Sequence, residues 1–420
     1  MPRPRLLLLL PTTTYRTKAF IDAALTLGVD LVCATEEPST LEETAPDHLV
    51  TLDFSDPQAA ATKIAETHRA RPFAAVVAVD DLTTVTAAAI AERTGLCANS
   101  VAAASAARNK HEMRQRLGDA GVPVPRFRLV SLAQDPTMVA FHSMYPCVLK
   151  PLTLSASRGV IRADDEGQFV VAFLRIAKLL GRDDVDVTDD GARYLLVEEF
   201  ISGGEVALEG LLVDGRLETL ALFDKPDPLD GPFFEETIYV TPSVLPAAVQ
   251  ARISAVTAQA CAALGLTEGP VHAELRVNDH GPWVLEVAAR SIGGLCSRAL
   301  RFGTGMTLEE IILRHALRWP IASLVRERPA AGVMMIPIPK GGTLMAVRGT
   351  KDAEGVTGIE EVAITAHVGQ VLEPLPEGFQ YLGFIFARGE TPEFVEKALR
   401  DAHRRLDFDI GGIQASWPST

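Results

Sequence analysis

Cysteine is scarce here. Cys33, Cys97, Cys147, Cys261 and Cys296 are scattered over 420 residues and odd in number, which excludes a disulfide framework and a zinc site of closely spaced ligands. That usage fits a reducing compartment, and a cytoplasmic location is expected. Long apolar runs are also missing. The five leucines at 6–10 follow Arg3 and Arg5 in the manner of a secretory signal, but they are too few for a signal core or a membrane span. No small-residue cleavage pattern follows, and the run reads as the buried first strand of a parallel sheet. Basic blocks are absent as well: 40 Lys and Arg against 54 Asp and Glu leave a formal net charge of −14. Neither nucleic acid nor membrane is an expected partner, though a local basic site for one small phosphate compound is compatible. Two glycine signatures are missing. Pro11-Thr-Thr-Thr14 stands where a dinucleotide fold would carry G-x-G-x-x-G, and the P-loop order G-x4-G-K-[S/T] does not occur.

What is present is an ordinary globular composition, 47% hydrophobic and 22% charged, in a chain long enough for two to four lobes. Residues 1–100 alternate strands (5–10, 30–34, 74–79) with helices (18–27, 57–69, 82–94), which predicts a parallel α/β domain. Residues 100–121 read as one helix ending at Gly121, before the break Val122-Pro-Val-Pro125. The acidic stretch from Asp183 to Asp190 brushes a calcium-loop pattern, but counting from Asp186 the twelfth position is Val197 instead of glutamate, so a solvated loop is expected. A helix over 246–264 follows a strand-rich segment. Residues 330–420 end in strands around 381–387 and a helix over 392–406. The expected division is 1–100, a parallel α/β domain; 101–200, a linker helix and small lobe; 201–325, a larger lobe; and 326–420, an α+β lobe.

One hairpin carries the most chemistry. Residues 271–277 and 283–290 each alternate with period two, and Asn278-Asp-His-Gly281 between them supplies a turn. Val271, Ala273, Leu275 and Val277 share one face of the first strand; Trp283, Leu285 and Val287 share one face of the second. A turn centred near His280 then sets Glu274 directly across from Glu286, with Cβ atoms roughly 5 Å apart. Like charges so placed are unfavourable unless something cationic sits between them, and a divalent metal with oxygen ligands suits the place. The alternative is two glutamates on a solvated face.

Four further features matter. Lys110 follows Asn109 on the helix entering the middle of the chain. Lys150 ends a strand that runs into the small-residue loop Ser155-Ala-Ser157-Arg158-Gly159, whose backbone N–H groups suit a polyphosphate. Glu198, Glu199, Ile201 and Glu205 lie on an extended stretch able to hydrogen-bond adenine and ribose. Arg290 stands four residues beyond Glu286, where a guanidinium can grip phosphate. Singly, these are surface lysines, a turn, a strand end and a structural arginine. In this order and spacing they amount to an ATP site.

The constellation resembles the ATP-grasp superfamily, in which two α+β lobes hold ATP. The resemblance implies an ATP-grasp fold: an N-terminal parallel α/β domain, a two-lobed ATP-binding core and a C-terminal α+β lobe. It implies that Lys110 and Lys150 contact ATP phosphates and that the loop of Ser155, Ser157, Arg158 and Gly159 closes over them. Glu198, Glu199 and Ile201 match hinge positions around adenine, Glu205 the ribose ligand, and Glu274 and Glu286 the carboxylates for Mg2+, or Mn2+ in its place. Many members carry Glu-x-Asn with a metal-binding asparagine; here Ala288 stands third and cannot coordinate. The Glu-x-Ala-Ala-Arg form and the segment 224–242 look like L-amino acid ligases of the bacilysin-synthetase type. The implied activity is an ATP-dependent carboxylate–amine ligase acting on small-molecule carboxylate and amine substrates through an acyl phosphate, with Arg290 catalytic. Alternatives are a purine-pathway or biotin-carboxylase-like enzyme activating formate or bicarbonate, and a nucleotide-binding protein without turnover. The superfamily leans toward homodimers.

Overall fold

The leucine run is buried on both sides because it forms an inner strand of a parallel sheet. A computed structural model of the protein describes residues 3–39, 42, 45, 47–185 and 189–412. Strand Arg5–Leu9 lies between Asp30–Thr35 and Ala75–Ala78, with Leu49–Thr51 at the outer edge. Leu7 and Leu9 pack with Ile64 and Ile90 of the domain's own helices. Leu6, Leu8 and Leu10 face the other way, into a core shared with Phe223, Tyr239 and Phe384 from distant parts of the chain. That shared core seats the turn after the first strand, Thr13 to Tyr15, over the rest of the molecule.

The single helix expected over 100–121 is two, Val101–Arg108 and Lys110–Asp119. Asn109 separates them. Its backbone is extended, and its side-chain oxygen accepts from the N–H groups of His111 and Glu112, so it ends one helix and caps the next. A four-stranded antiparallel sheet follows, ordered Phe127–Ser131, Tyr194–Glu199, Cys147–Pro151, Ile161–Ala163, with helix Glu166–Leu180 packed on it. Of the acidic stretch, 186–188 lie outside the described residues; Asp184 is held by Arg158 and Arg182.

The largest sheet has eight antiparallel strands, from the hairpin at one edge (Gly281–Ala288, Gly269–Asn278) through Gly204–Val213, Arg216–Lys225 and Ile238–Thr241 to Ala330–Ile336, Gly383–Gly389 and Ile359–Ile364. Helix Ala247–Leu264 covers the back of the hairpin, where Val271, Ala273, Leu275, Val284 and Val287 are buried. Glu274 does pair with Glu286, but the register slips by one immediately afterwards, so that Leu275 pairs with Val284. The expected apolar face of Trp283, Leu285 and Val287 is therefore corrected. Leu285 is an extra residue in a β-bulge, and Val284 takes the buried position. Among the described residues no helix is long and apolar enough to cross a membrane.

Candidate active site

A cavity of about 390 Å³ opens where these parts meet. Thr13 to Tyr15 and Asp80 to Leu82 wall it from the N-terminal domain, Lys150 and Ser155 to Ser157 from the smaller sheet, and Phe379 and Tyr381 from the C-terminal region. The residues expected to act together line it, with two exceptions. Arg158 turns away: its Nε donates to the Glu377 carbonyl at 2.7 Å, its Nη2 reaches Asp184 at 2.6 Å, and its guanidinium lies 5.2 Å from the Phe379 ring centre. Gly159 lies outside the lining, and its backbone requires glycine. Its φ is +73°, and a Cβ there would lie 2.7 Å from Pro151. Its N–H donates to the Pro376 carbonyl, so the loop is anchored to the C-terminal region.

The hinge residues Glu198, Glu199 and Ile201 line the cavity and are each tied to a cation. Glu198 is buried and ion-paired with both Arg114 Nε at 2.5 Å and Lys150 Nζ at 2.7 Å. Burial opposes its ionisation, but the two cations outweigh burial and hold its carboxyl below the ordinary range. Glu198 thus supports Lys150 while itself lining the cavity. Glu199 pairs with Arg126 at 2.8 Å. The carbonyl of Ile201 accepts from Arg276 Nη1 at 2.9 Å, and Arg276 also lies 4.8 Å from the Phe200 ring centre.

Around the hairpin each glutamate has its own cation. Glu286 meets Lys110 Nζ at 3.5 Å, while that ammonium also donates to the Leu154 carbonyl at 2.8 Å. Glu274 meets Lys225 Nζ at 3.2 Å; the same ammonium holds Glu205 at 2.8 Å and ion-pairs with Glu236. Burial works against the charge on Lys225, but the carboxylates prevail and raise its pKa well above that of a free lysine. Glu236 is pushed up to about 7, first by burial and then by repulsion from Glu274. His272, between Glu209 at 3.2 Å and Glu274 at 3.6 Å, is raised to about 9 because those carboxylates overcome its burial. Glu205, expected to bind ribose, lies between Lys225 and Arg276 Nε at 3.2 Å. Arg290 is gripped by Asp81, which accepts from Nε and Nη2 at 3.0 and 2.8 Å.

These donors bear on a metal. The carboxylate oxygens of Glu205, Glu236 and Glu274 lie within 4.8 Å of one another, but the Lys225 ammonium takes the cation's place among them. Glu274 and Glu286, paired in register and facing the cavity, supply the hard oxygen donors that suit Mg2+.

Sequence reasoning missed Arg114, Lys225, His272 and Asp81. Lys225 left a trace: it continues the apolar face of Ala221 and Phe223, where an ionisable residue is out of place. Arg114 left another, one turn beyond Lys110 and next to the buried Met113. Nothing local links Asp81 to Arg290.

Residues 143–299 match the family profile of an ATP-grasp domain, 21–97 that of an ATP-grasp N-terminal domain, and 334–411 that of L-amino acid ligase C-terminal domain 2. With the fold above, these make the chain a member of the ATP-grasp superfamily. Within it, the likeness is to L-amino acid ligases. A crystal structure of L-amino acid ligase from Bacillus licheniformis superposes with a TM-score of 0.82 at 25% identity, covering 98% of this chain and 100% of that one. Alanine–anticapsin ligase of Bacillus subtilis (strain 168) is 27% identical over 235 residues, 53% of this chain and 49% of that protein. Dapdiamide A synthase of Enterobacter agglomerans is 29% identical over 198 residues, 47% of this chain and 45% of that protein. The chain thus matches about half the length of these two relatives. Phosphoribosylglycinamide synthetase from Anaerococcus prevotii, at a TM-score of 0.69 and 16% identity, shares the fold.

Proposed function

We propose that the chain is an ATP-dependent carboxylate–amine ligase that joins small substrates, at least one of them an amino acid, through an amide bond. The observation that carries this reading is one cavity holding Lys110, Lys150, the facing Glu274 and Glu286, and Arg290, in a chain whose relatives are amino acid ligases. A substrate carboxylate attacks the γ-phosphorus of ATP, giving an acyl phosphate and ADP. The amine of the second substrate then attacks the acyl carbon; phosphate leaves, and the nitrogen gives up a proton. Catalysis of this kind is mostly positioning and charge neutralisation.

Lys110 and Lys150 bind phosphate oxygens, each ammonium already oriented by a partner, the half-buried Leu154 carbonyl and the buried Glu198 respectively. Arg290 is fixed by Asp81 with its guanidinium at the cavity wall, where it stabilises the transferring phosphoryl group. Mg2+, or Mn2+, would be held by Glu274 and Glu286 and would neutralise phosphate charge. Ser155 to Ser157 cover the nucleotide, and the tie from Gly159 to Pro376 helps exclude water from a hydrolysable intermediate. Tyr239, Met335 and Tyr381, which also line the cavity, receive the substrates.

The test is a phosphate-release screen over pairs of amino acids, with mass spectrometry of the products. One ADP and one phosphate should form per amide. Formation of AMP and pyrophosphate would replace the acyl-phosphate route by adenylation.

A further inference from the structure

We infer that Arg114 is a positioning residue that sets the nucleotide-facing lysine and the metal-facing glutamate from a single buried guanidinium. The inference rests on the nucleotide reading of the cavity. Arg114 is 0% exposed and touches neither the cavity nor solvent. Its Nε stands 2.5 Å from Glu198 Oε1, while the other oxygen of Glu198 holds Lys150 Nζ at 2.7 Å. Its Nη2 donates to the carbonyl of Leu285.

That carbonyl belongs to the bulge. Leu285 is the residue left over when the hairpin register steps from Glu274–Glu286 to Leu275–Val284. Along a regular strand, Leu285 and Glu286 would point to opposite faces; here both line the cavity. A bulge leaves its extra residue out of the ladder, so a half-buried carbonyl there gains from another donor. Arg114 supplies it, next to Glu286. Its own helix brings Lys110 one turn earlier, and Lys110 meets Glu286 at 3.5 Å. One face of one helix therefore sets the lysine of the smaller sheet through Glu198 and the glutamate of the larger sheet through Leu285.

Two variants separate these arms. Arg114→Lys keeps a cation beside Glu198, but one ammonium cannot reproduce the fork that spans Glu198 and Leu285. Affinity for ATP is measured by calorimetry in EDTA and again with Mn2+. In Arg114→Lys the affinity in EDTA should stay near wild type, while the gain produced by Mn2+ falls by about 10- to 100-fold, the usual effect of losing a partner that orients a ligating side chain. Glu198→Gln should do the reverse: weaker binding in EDTA because Lys150 loses its anchor, and an unchanged gain from Mn2+ because Arg114 still holds Leu285. Melting curves confirm folding. If Arg114→Lys lacks a melting transition, Glu198→Gln decides alone. An unchanged Mn2+ gain in folded Arg114→Lys, or in folded Glu198→Gln an unweakened affinity in EDTA or a reduced Mn2+ gain, would overturn the inference and leave Arg114 a merely structural residue. A wild type that binds no ATP in either condition would overturn the nucleotide reading, and this inference with it.

Discussion

Replacing Lys225 by methionine tests whether an ammonium group holds the carboxylates at the cavity together. Lys225 is shared by Glu205 at 2.8 Å and Glu274 at 3.2 Å, and it also pairs with Glu236. Methionine keeps most of the apolar stem but stops one atom short, leaving three carboxylates around the vacated ammonium position. Glu205 retains Arg276 at 3.2 Å and Glu274 retains His272 at 3.6 Å, so the loss falls most on Glu236. Removing one partner of a buried ion pair costs about 3–5 kcal/mol. In a cooperative unit of lobe size that lowers the melting temperature by about 6–20 °C. A second effect runs the other way. The vacated place, among oxygens within 4.8 Å of one another, suits a divalent cation. Mn2+ at about 100 times its dissociation constant would return about 2.7 kcal/mol. Thermal melts of both proteins, in EDTA and across a Mn2+ series, measure the two effects. A variant that melts with the wild type would refute the neutralising role of Lys225. A destabilised variant that gains no more from Mn2+ than the wild type would refute the cage.

Three other outcomes are expected. Lys150→Ala should weaken ATP binding by about 1.5–3 kcal/mol, the worth of a charge-assisted hydrogen bond; unchanged affinity by calorimetry would remove Lys150 from the phosphate site. Glu198, depressed below 4.5 by Arg114 and Lys150 against the effect of burial, contributes stability that is complete above that value and is lost as pH falls through its folded pKa. Urea midpoints should therefore drop below pH 4.5, and Glu198→Gln should flatten that acid limb; identical limbs would contradict the pairing. Arg158→Ala removes the contacts to Glu377 and Asp184 and should expose the 155–159 loop to limited proteolysis without direct loss of a phosphate ligand; cleavage at the wild-type rate would show that the anchor does not hold the loop.

How much of this was legible depended on the range of the interaction. The parallel sheet was readable because five successive leucines need two apolar faces, which a strand buried on both sides provides. Pairing of Glu274 with Glu286 was readable because a period of two and a short turn fix register. The bulge one residue later was not, since Val284 and Leu285 are both apolar and either could have faced the core. The break at Asn109 was missed because helix formers on both sides conceal a residue that caps only one of them. Arg158 looked like a phosphate ligand because its competitors, Glu377 and Asp184, are remote in sequence. The Asp81–Arg290 pair spans 209 positions and has no local signature. Local periodicity thus carried the scaffold, whereas the partners that orient each charged group came from other lobes.

The face-to-face glutamates gain a different meaning from those partners. Repulsion between Glu274 and Glu286 suggested a cation between them, yet Lys225 and Lys110 already answer their charges. Repulsion alone therefore no longer argues for a metal. Exposure does. The lysine side chains are 2% and 7% exposed, whereas Glu274 and Glu286 are 23% and 27% exposed. Lys225 meets Glu274 from outside the cavity lining, Lys110 meets Glu286 at the cavity wall, and both carboxylates line the cavity. Each oxygen pair keeps acceptor capacity, because an ionised carboxylate offers about four lone-pair positions. Partial neutralisation also lets two carboxylates stand opposite one another before any ligand arrives, so the donor set is preorganised at low electrostatic cost. A cation entering with polyphosphate would then meet oxygens already in place, and the lysines would limit how strongly those oxygens hold a cation that arrives alone.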